Sequence, residues 1–131
     1  SVLEPGQHIK EHWGYWKGFV RYHLGVLIPD NNRDGRCWIR INPDAQARTG
    51  NRVAIAQGEK YHWHDGEAVM FDDTFLHDAA NQSDSVRVVL FLDVARKMPW
   101  PLALLNRLFL WIAHHDKSVR EIRANAKIKA A

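Results

Sequence analysis

Disulfide chemistry has almost nothing to work with in this chain, because its 131 residues hold one cysteine, Cys37. A single thiol excludes an internal disulfide and a thiolate zinc cluster, and it fits a reducing compartment. Long apolar runs are lacking too. No stretch reaches the ~18 residues a spanning helix needs, and no charged segment followed by an apolar one opens the chain. We therefore expect no membrane span. An initiator Met is also missing: the chain begins SVLEPG, which suggests a piece or a processed form of a longer protein. Excess charge of one sign is small, a net +3 with basic and acidic residues interspersed. That is not the footprint of a nucleic-acid binder.

What is present is an ordinary globular composition, 46% hydrophobic and 25% charged, in a length that suits one core. From Phe19 to Pro29 apolar and polar residues alternate, with Val20, Tyr22, Leu24 and Val26 opposite Arg21 and His23, which predicts a strand. Arg36 to Ile41 repeats the pattern, and the turn-rich PDNNRDG between them predicts a hairpin. Asn42 to Gly66 is the least patterned stretch, a long loop and candidate lid with VAIA as its one short strand. Glu67 to Phe71 and the β-branched run Val86 to Val94 complete an all-β middle, the last strand reading as buried on both faces. After Pro99 and Pro101, LALLNRLFLWIAHH and DKSVREIRANAKIKAA predict two helices. Short strands followed by helices point to a small barrel or sandwich with helical support.

Eight histidines are many for this length. His8, His62, His64, His114 and His115 read first as solvated or capping residues, although H-x-H spacing gives His62 and His64 a minor claim on a metal. His77 lies at a strand end between FDDTFL and NQSDS, where the mouth of a barrel would place it. Arg21 and His23 share a face that is either solvated or lines a polar cavity. Arg87 is the anomaly: a guanidinium inside an apolar strand must find an anion or reach water.

These residues also carry a resemblance. PGQHIKEHWGYWKGFVRYHLGVLIP, then W-x-x-G-x-x-x-x-FDDTFLH, then VRVVLFLDV, from Ser1 to about Val94, resemble the aspartyl/asparaginyl β-hydroxylase family, which includes bacterial lipid A hydroxylases. The resemblance implies a double-stranded β-helix (jelly-roll, cupin-like) core over 1–98, an iron(II)- and 2-oxoglutarate-dependent dioxygenase using O2, and a helical segment over 99–131. It assigns the iron to His12 and His77, and the co-substrate pocket to Ser1, Arg21, His23 and Arg87. The donor types suit these roles, since imidazoles ligate iron and a planar guanidinium on a strand receives a carboxylate. Most sites of this chemistry add a carboxylate two residues after the first histidine. Here that position is Gly14, an absence the resemblance makes a family trait, with water in the vacant position and Asp72 and Asp73 read as turn caps or as partners of His77 or that water.

The implied reaction is hydroxylation of an unactivated C–H, first the β-carbon of Asp or Asn in a peptide, with a lipid A acyl chain as the alternative. A non-catalytic metal- or carboxylate-binding barrel is the reading from another class. The segment after Pro99, apolar and then basic through Lys117, Arg120, Arg123, Lys127 and Lys129, is expected to pack on the core. The other reading is peripheral contact with an anionic membrane. PWPLALLNR resembles bacterial members of the family, and the expected location is the cytoplasm or the inner face of the bacterial membrane.

Overall fold

The computed structural model describes residues 1–44 and 52–115, and the chain divides into two units, Ser1–Arg96 and Lys97–Ala131. The first unit is mainly β. Its strands are β1 (Val2–Leu3), β2 (His8–His12), β3 (Phe19–Leu27), β4 (Cys37–Asn42), β5 (Glu59–His62), β6 (Ala68–Phe71), β7 (Leu76–Asn81) and β8 (Arg87–Ala95), with a short helix α1 (Arg52–Ala56) before β5. They form two antiparallel four-stranded sheets, ordered β1-β8-β3-β6 and β2-β7-β4-β5. Among the described residues no pairing closes the two sheets into one barrel. Every connection between successive strands except β4 to β5 passes from one sheet to the other.

That topology corrects the hairpin expected over Phe19 to Ile41. β3 pairs with β6 and β8, and β4 with β5 and β7. The segment between them is a 3-10 turn, Pro29–Asn32, in which Asp30, Asn31 and Asn32 all hold positive φ. Asn and Asp tolerate that left-handed region best. Asn32 then brackets Cys37, its amide donating to the Cys37 carbonyl at 2.7 Å while its Oδ1 accepts the Cys37 N–H at 2.8 Å. The local chemistry is that of a turn, but the turn changes sheets.

The facing surfaces of the sheets bury Ile28, Cys37, Ile39, Trp63, Phe71, Ala79 and Val89 as one cluster. A second cluster forms where Ile55 of α1 packs on Leu76. The VAIA segment is therefore helical, and its Ala54 and Ile55 pack in this second cluster. The rest of the Asn42 to Gly66 stretch holds β5, and residues 45–51 lie outside the described part. Strand β8 departs from expectation as well: Leu90 (44% exposed), Leu92 (49%) and Val94 (42%) keep one face open, while Arg87 and Val89 point inward and are buried.

In the second unit α2 spans Leu102–His115. The second expected helix lies outside the described residues. No described helix is long and apolar enough to cross a membrane.

Candidate active site

Strand pairing brings the two singled-out histidines together. His12 ends β2 and His77 opens β7, and they are Cα partners across that pair. A register shift between Ile9 and His12 makes this possible. Without it, strict alternation would leave His12 on the same face as His8, whose Nε2 meets Asp78 at 2.9 Å on the opposite side of the sheet. With the extra residue, the His12 and His77 rings lie 4.2 Å apart, centroid to centroid.

Each ring is oriented in the same manner. His12 Nδ1 is 2.8 Å from the Lys10 carbonyl, and His77 Nδ1 is 2.8 Å from the Phe75 carbonyl. A carbonyl can only accept, so each Nδ1 carries the proton and each Nε2 keeps a lone pair, the tautomer of a metal-ligating histidine. Burial holds the His77 pKa below its ordinary value, opposed by the Phe75 bond and reinforced by neighbouring His12. The ring is therefore neutral at physiological pH and ready to ligate.

Beside the pair, Asp73 is 4% exposed, with Oδ1 2.6 Å from Arg21 Nη1 and 3.5 Å from His77 Nε2. Its backbone carbonyl accepts the Gly14 N–H at 2.7 Å. Asp72 does what a turn carboxylate ordinarily does, accepting from the Thr74 N–H (2.9 Å) and hydroxyl (2.7 Å) and pairing with Arg96 (2.8 Å). Among the described residues no group of three or more His, Cys, Asp or Glu side chains is arranged to hold one metal ion. The donor set is two imidazoles with a carboxylate alongside.

Deeper between the sheets lies a buried cation. Arg87 is 2% exposed, and its Nε and Nη2 have no hydrogen-bond partner. Its guanidinium carbon sits 4.5 Å over the Trp63 ring. Burial lowers its pKa to about 10, so it remains charged at neutral pH, and that desolvation is uncompensated. His23 stacks on the other side of this group, 5.9 Å from Trp63 with 28° between the planes, and its buried Nδ1 is also unpartnered. Burial, then the charges of Arg21 and Arg87, push the His23 pKa down to about 3. Trp63 is fully buried with its indole Nε1 unpartnered. Such a set of orphaned polar groups around a cation suits the binding of an anion.

Arg21 lies on the same inner face, but carboxylates already hold it: Nη1 on Asp73 and Nε on Asp93 at 3.0 Å, with the Phe91 ring 5.2 Å from the guanidinium carbon. Ser1 is exposed. Its backbone carbonyl accepts the Val89 N–H at 2.9 Å. His62 and His64 do not join the histidine pair; His64 Nδ1 meets Glu67 at 3.1 Å. No pattern of residues announced that Trp63 lies beneath Arg87, whereas Asp73 takes the place beside His77 that was one of its two expected roles. An indole shows its orphaned N–H only once its surroundings are built.

A family model described as aspartyl/asparaginyl beta-hydroxylase matches residues 1–97, which include every one of these positions. The chain belongs to that family. Among hydroxylase relatives, an ornithine lipid ester-linked acyl 2-hydroxylase of Rhizobium tropici is 32% identical over 127 residues, covering 97% of this chain and 39% of that protein. The aspartate beta-hydroxylase domain-containing protein 2 of Xenopus tropicalis is 32% identical over 97 residues, 72% of this chain and 21% of its own. Human aspartyl/asparaginyl beta-hydroxylase is 28% identical over 94 residues, 72% of this chain and 10% of its own. The chain thus spans well under half the length of these relatives. Its family is one of hydroxylases, and its histidine pair and buried arginine lie within the matched region.

Proposed function

We propose that this chain is the core of an iron(II)- and 2-oxoglutarate-dependent dioxygenase that hydroxylates an unactivated C–H bond. The observation that carries the reading is the conjunction of two oriented imidazoles with a buried, charged and unpartnered guanidinium in one inter-sheet space. The strand order β1-β8-β3-β6 over β2-β7-β4-β5 supports the double-stranded β-helix form of such a core.

In this reading His12 and His77 hold iron through Nε2, with the ring orientations fixed beforehand by the Lys10 and Phe75 carbonyls. Arg87 receives the distal carboxylate of 2-oxoglutarate, with His23 and the Trp63 N–H as further polar contacts and Ser1 at the edge. Arg21 holds Asp73 beside His77, where its carboxylate would accept hydrogen bonds at the edge of the metal position. Bound iron with 2-oxoglutarate and O2 supplies the oxidising chemistry, which releases succinate and CO2 and delivers one oxygen atom to the substrate carbon. The chain's own work is to bind, orient and exclude water.

For the substrate we favour the acyl chain of a lipid, since the acyl 2-hydroxylase similarity continues past the core through nearly the whole chain. The β-carbon of Asp or Asn in a peptide is the second reading, favoured by the names of the relatives that match the core. A lipid substrate also suits the inner face of a bacterial membrane.

The test is succinate formation by anaerobically purified protein supplied with Fe(II), 2-oxoglutarate and O2, beside His77→Ala and Arg87→Ala. Slow turnover in the parent that disappears in both variants supports the reading. No turnover together with no Fe(II)-dependent 2-oxoglutarate binding overturns it and leaves the non-catalytic binding module.

A further inference from the structure

Resting on that reading, we propose that the cleft between β5 and β6 is the acceptor-substrate site and that it takes an aliphatic acyl chain. The cleft measures about 520 Å³, a volume in the range of small-molecule sites. It opens at the end of the sheets where His12 and His77 lie, because Pro43 follows β4, Glu59 begins β5, and Phe71 ends β6.

Its inner end borders residues that pack on His77, although neither histidine lines the cleft itself. Ile41, which lines it, is the Cα partner of His77, and the ring of Phe71, which also lines it, stands 5.1 Å from the His77 ring in an edge arrangement. A chain lying in the cleft would pass along the side chains against which His77 packs.

The lining chooses the occupant. Pro43, Tyr61, Val69 and Phe75 extend the apolar surface outward from Ile41 and Phe71. Of the charged residues that line it, Glu59 and Asp72 are carboxylates, and Lys60 carries its Nζ 4.2 Å over the Trp38 ring, on the other face of β5. An aspartate side chain would therefore meet two carboxylates and no facing ammonium, while an uncharged hydrocarbon loses nothing to them. Apolar contact along the chain with a polar end left at the mouth is how such a wall binds lipid.

The experiment uses the full chain with parinaric acid as a fluorescent acyl probe, alongside Mn(II)-dependent 2-oxoglutarate binding and succinate release in mixed micelles of an ornithine-linked acyl lipid. Val69→Trp fills the cleft, and Pro43→Glu adds a charge at an exposed rim position where folding is not at stake. We expect both to weaken probe binding at least tenfold and to abolish lipid-stimulated succinate release, with 2-oxoglutarate binding within about twofold of the parent. Probe binding that is absent in the parent, or equal in parent and variants, overturns the proposal. Stimulation by an Asp-containing peptide but not by lipid, lost in both variants, overturns the acyl assignment. If the probe binds as expected but 2-oxoglutarate does not bind at all, the dioxygenase reading falls while the acyl site stands.

Discussion

The carboxylate of Asp73 occupies the space that a side chain on Gly14 would need: a β-carbon at position 14 would collide with Oδ2 and lie 2.8 Å from Cγ. The position at which most two-histidine iron sites carry their acidic ligand is thus closed by an acid from another part of the chain, held there by Arg21. Restoring the usual ligand as Gly14→Asp should therefore damage the site. It would force two carboxylates together and displace Asp73 from His77. We expect a lowered melting temperature and loss of Fe(II)-dependent 2-oxoglutarate binding, read by thermal unfolding and by anaerobic titration. A variant that folds as well as the parent and binds iron more tightly would refute this role for Gly14.

Arg87 should separate stability from function. Its buried Nε and Nη2 have no hydrogen-bond partner among the described residues, so Arg87→Met, similar in length and apolar, should stabilise the unliganded form by about 2 kcal/mol. The same change should remove the stabilisation that 2-oxoglutarate with Mn(II) gives the parent. Melting curves with and without ligand check both halves.

His23 gives the pH dependence a definite sign. It titrates near 3 in the folded chain against 6.5 unfolded, so the unfolded state binds its proton first as pH falls. Its contribution is fully present above pH 6.5 and is lost between there and about pH 3, with a limiting slope of about 1.4 kcal/mol per pH unit. In urea unfolding from pH 7 to pH 4, His23→Gln should lose stability less steeply than the parent. Equal slopes would mean that His23 is not held neutral.

Trp63→Phe keeps an aromatic face beneath Arg87 and deletes the indole N–H. Losing an unpartnered buried N–H relieves its desolvation cost while the smaller ring leaves a void, so the two effects on unliganded stability oppose one another. If the N–H donates to the bound carboxylate, 2-oxoglutarate affinity should drop about tenfold. Calorimetric titration of both proteins measures the difference.

The sequence was most legible where burial and periodicity agree. β3 shows its alternation, and β6 and β8 follow from compact apolar runs. β7 was hidden, since LHDAAN is all buried yet contains His, Asp and Asn, whose partners come from distant strands: Asp78 takes Arg40 and His8, and Asn81 donates to the Leu3 and Ser85 carbonyls. Turn residues announce that the chain reverses but not which sheet receives it, and the hairpin expectation failed for that reason. Arg87 was conspicuous because a charge in an apolar strand breaks the local pattern. Trp63 stands in the W-x-x-G motif but broke no pattern, so no run of residues disclosed its place beneath Arg87.

The extra residue between Ile9 and His12 makes the histidine pair sensitive to segment length as much as to residue identity. Deleting one residue there would swing an unchanged histidine to the outer surface, and inserting one would do the same. Among homologous chains, β2 and the start of β7 should then tolerate amino-acid exchange at many positions but almost no insertion or deletion. Gaps in an alignment should collect instead in the connection between β4 and β5, where a change of length leaves the parity of both histidines untouched.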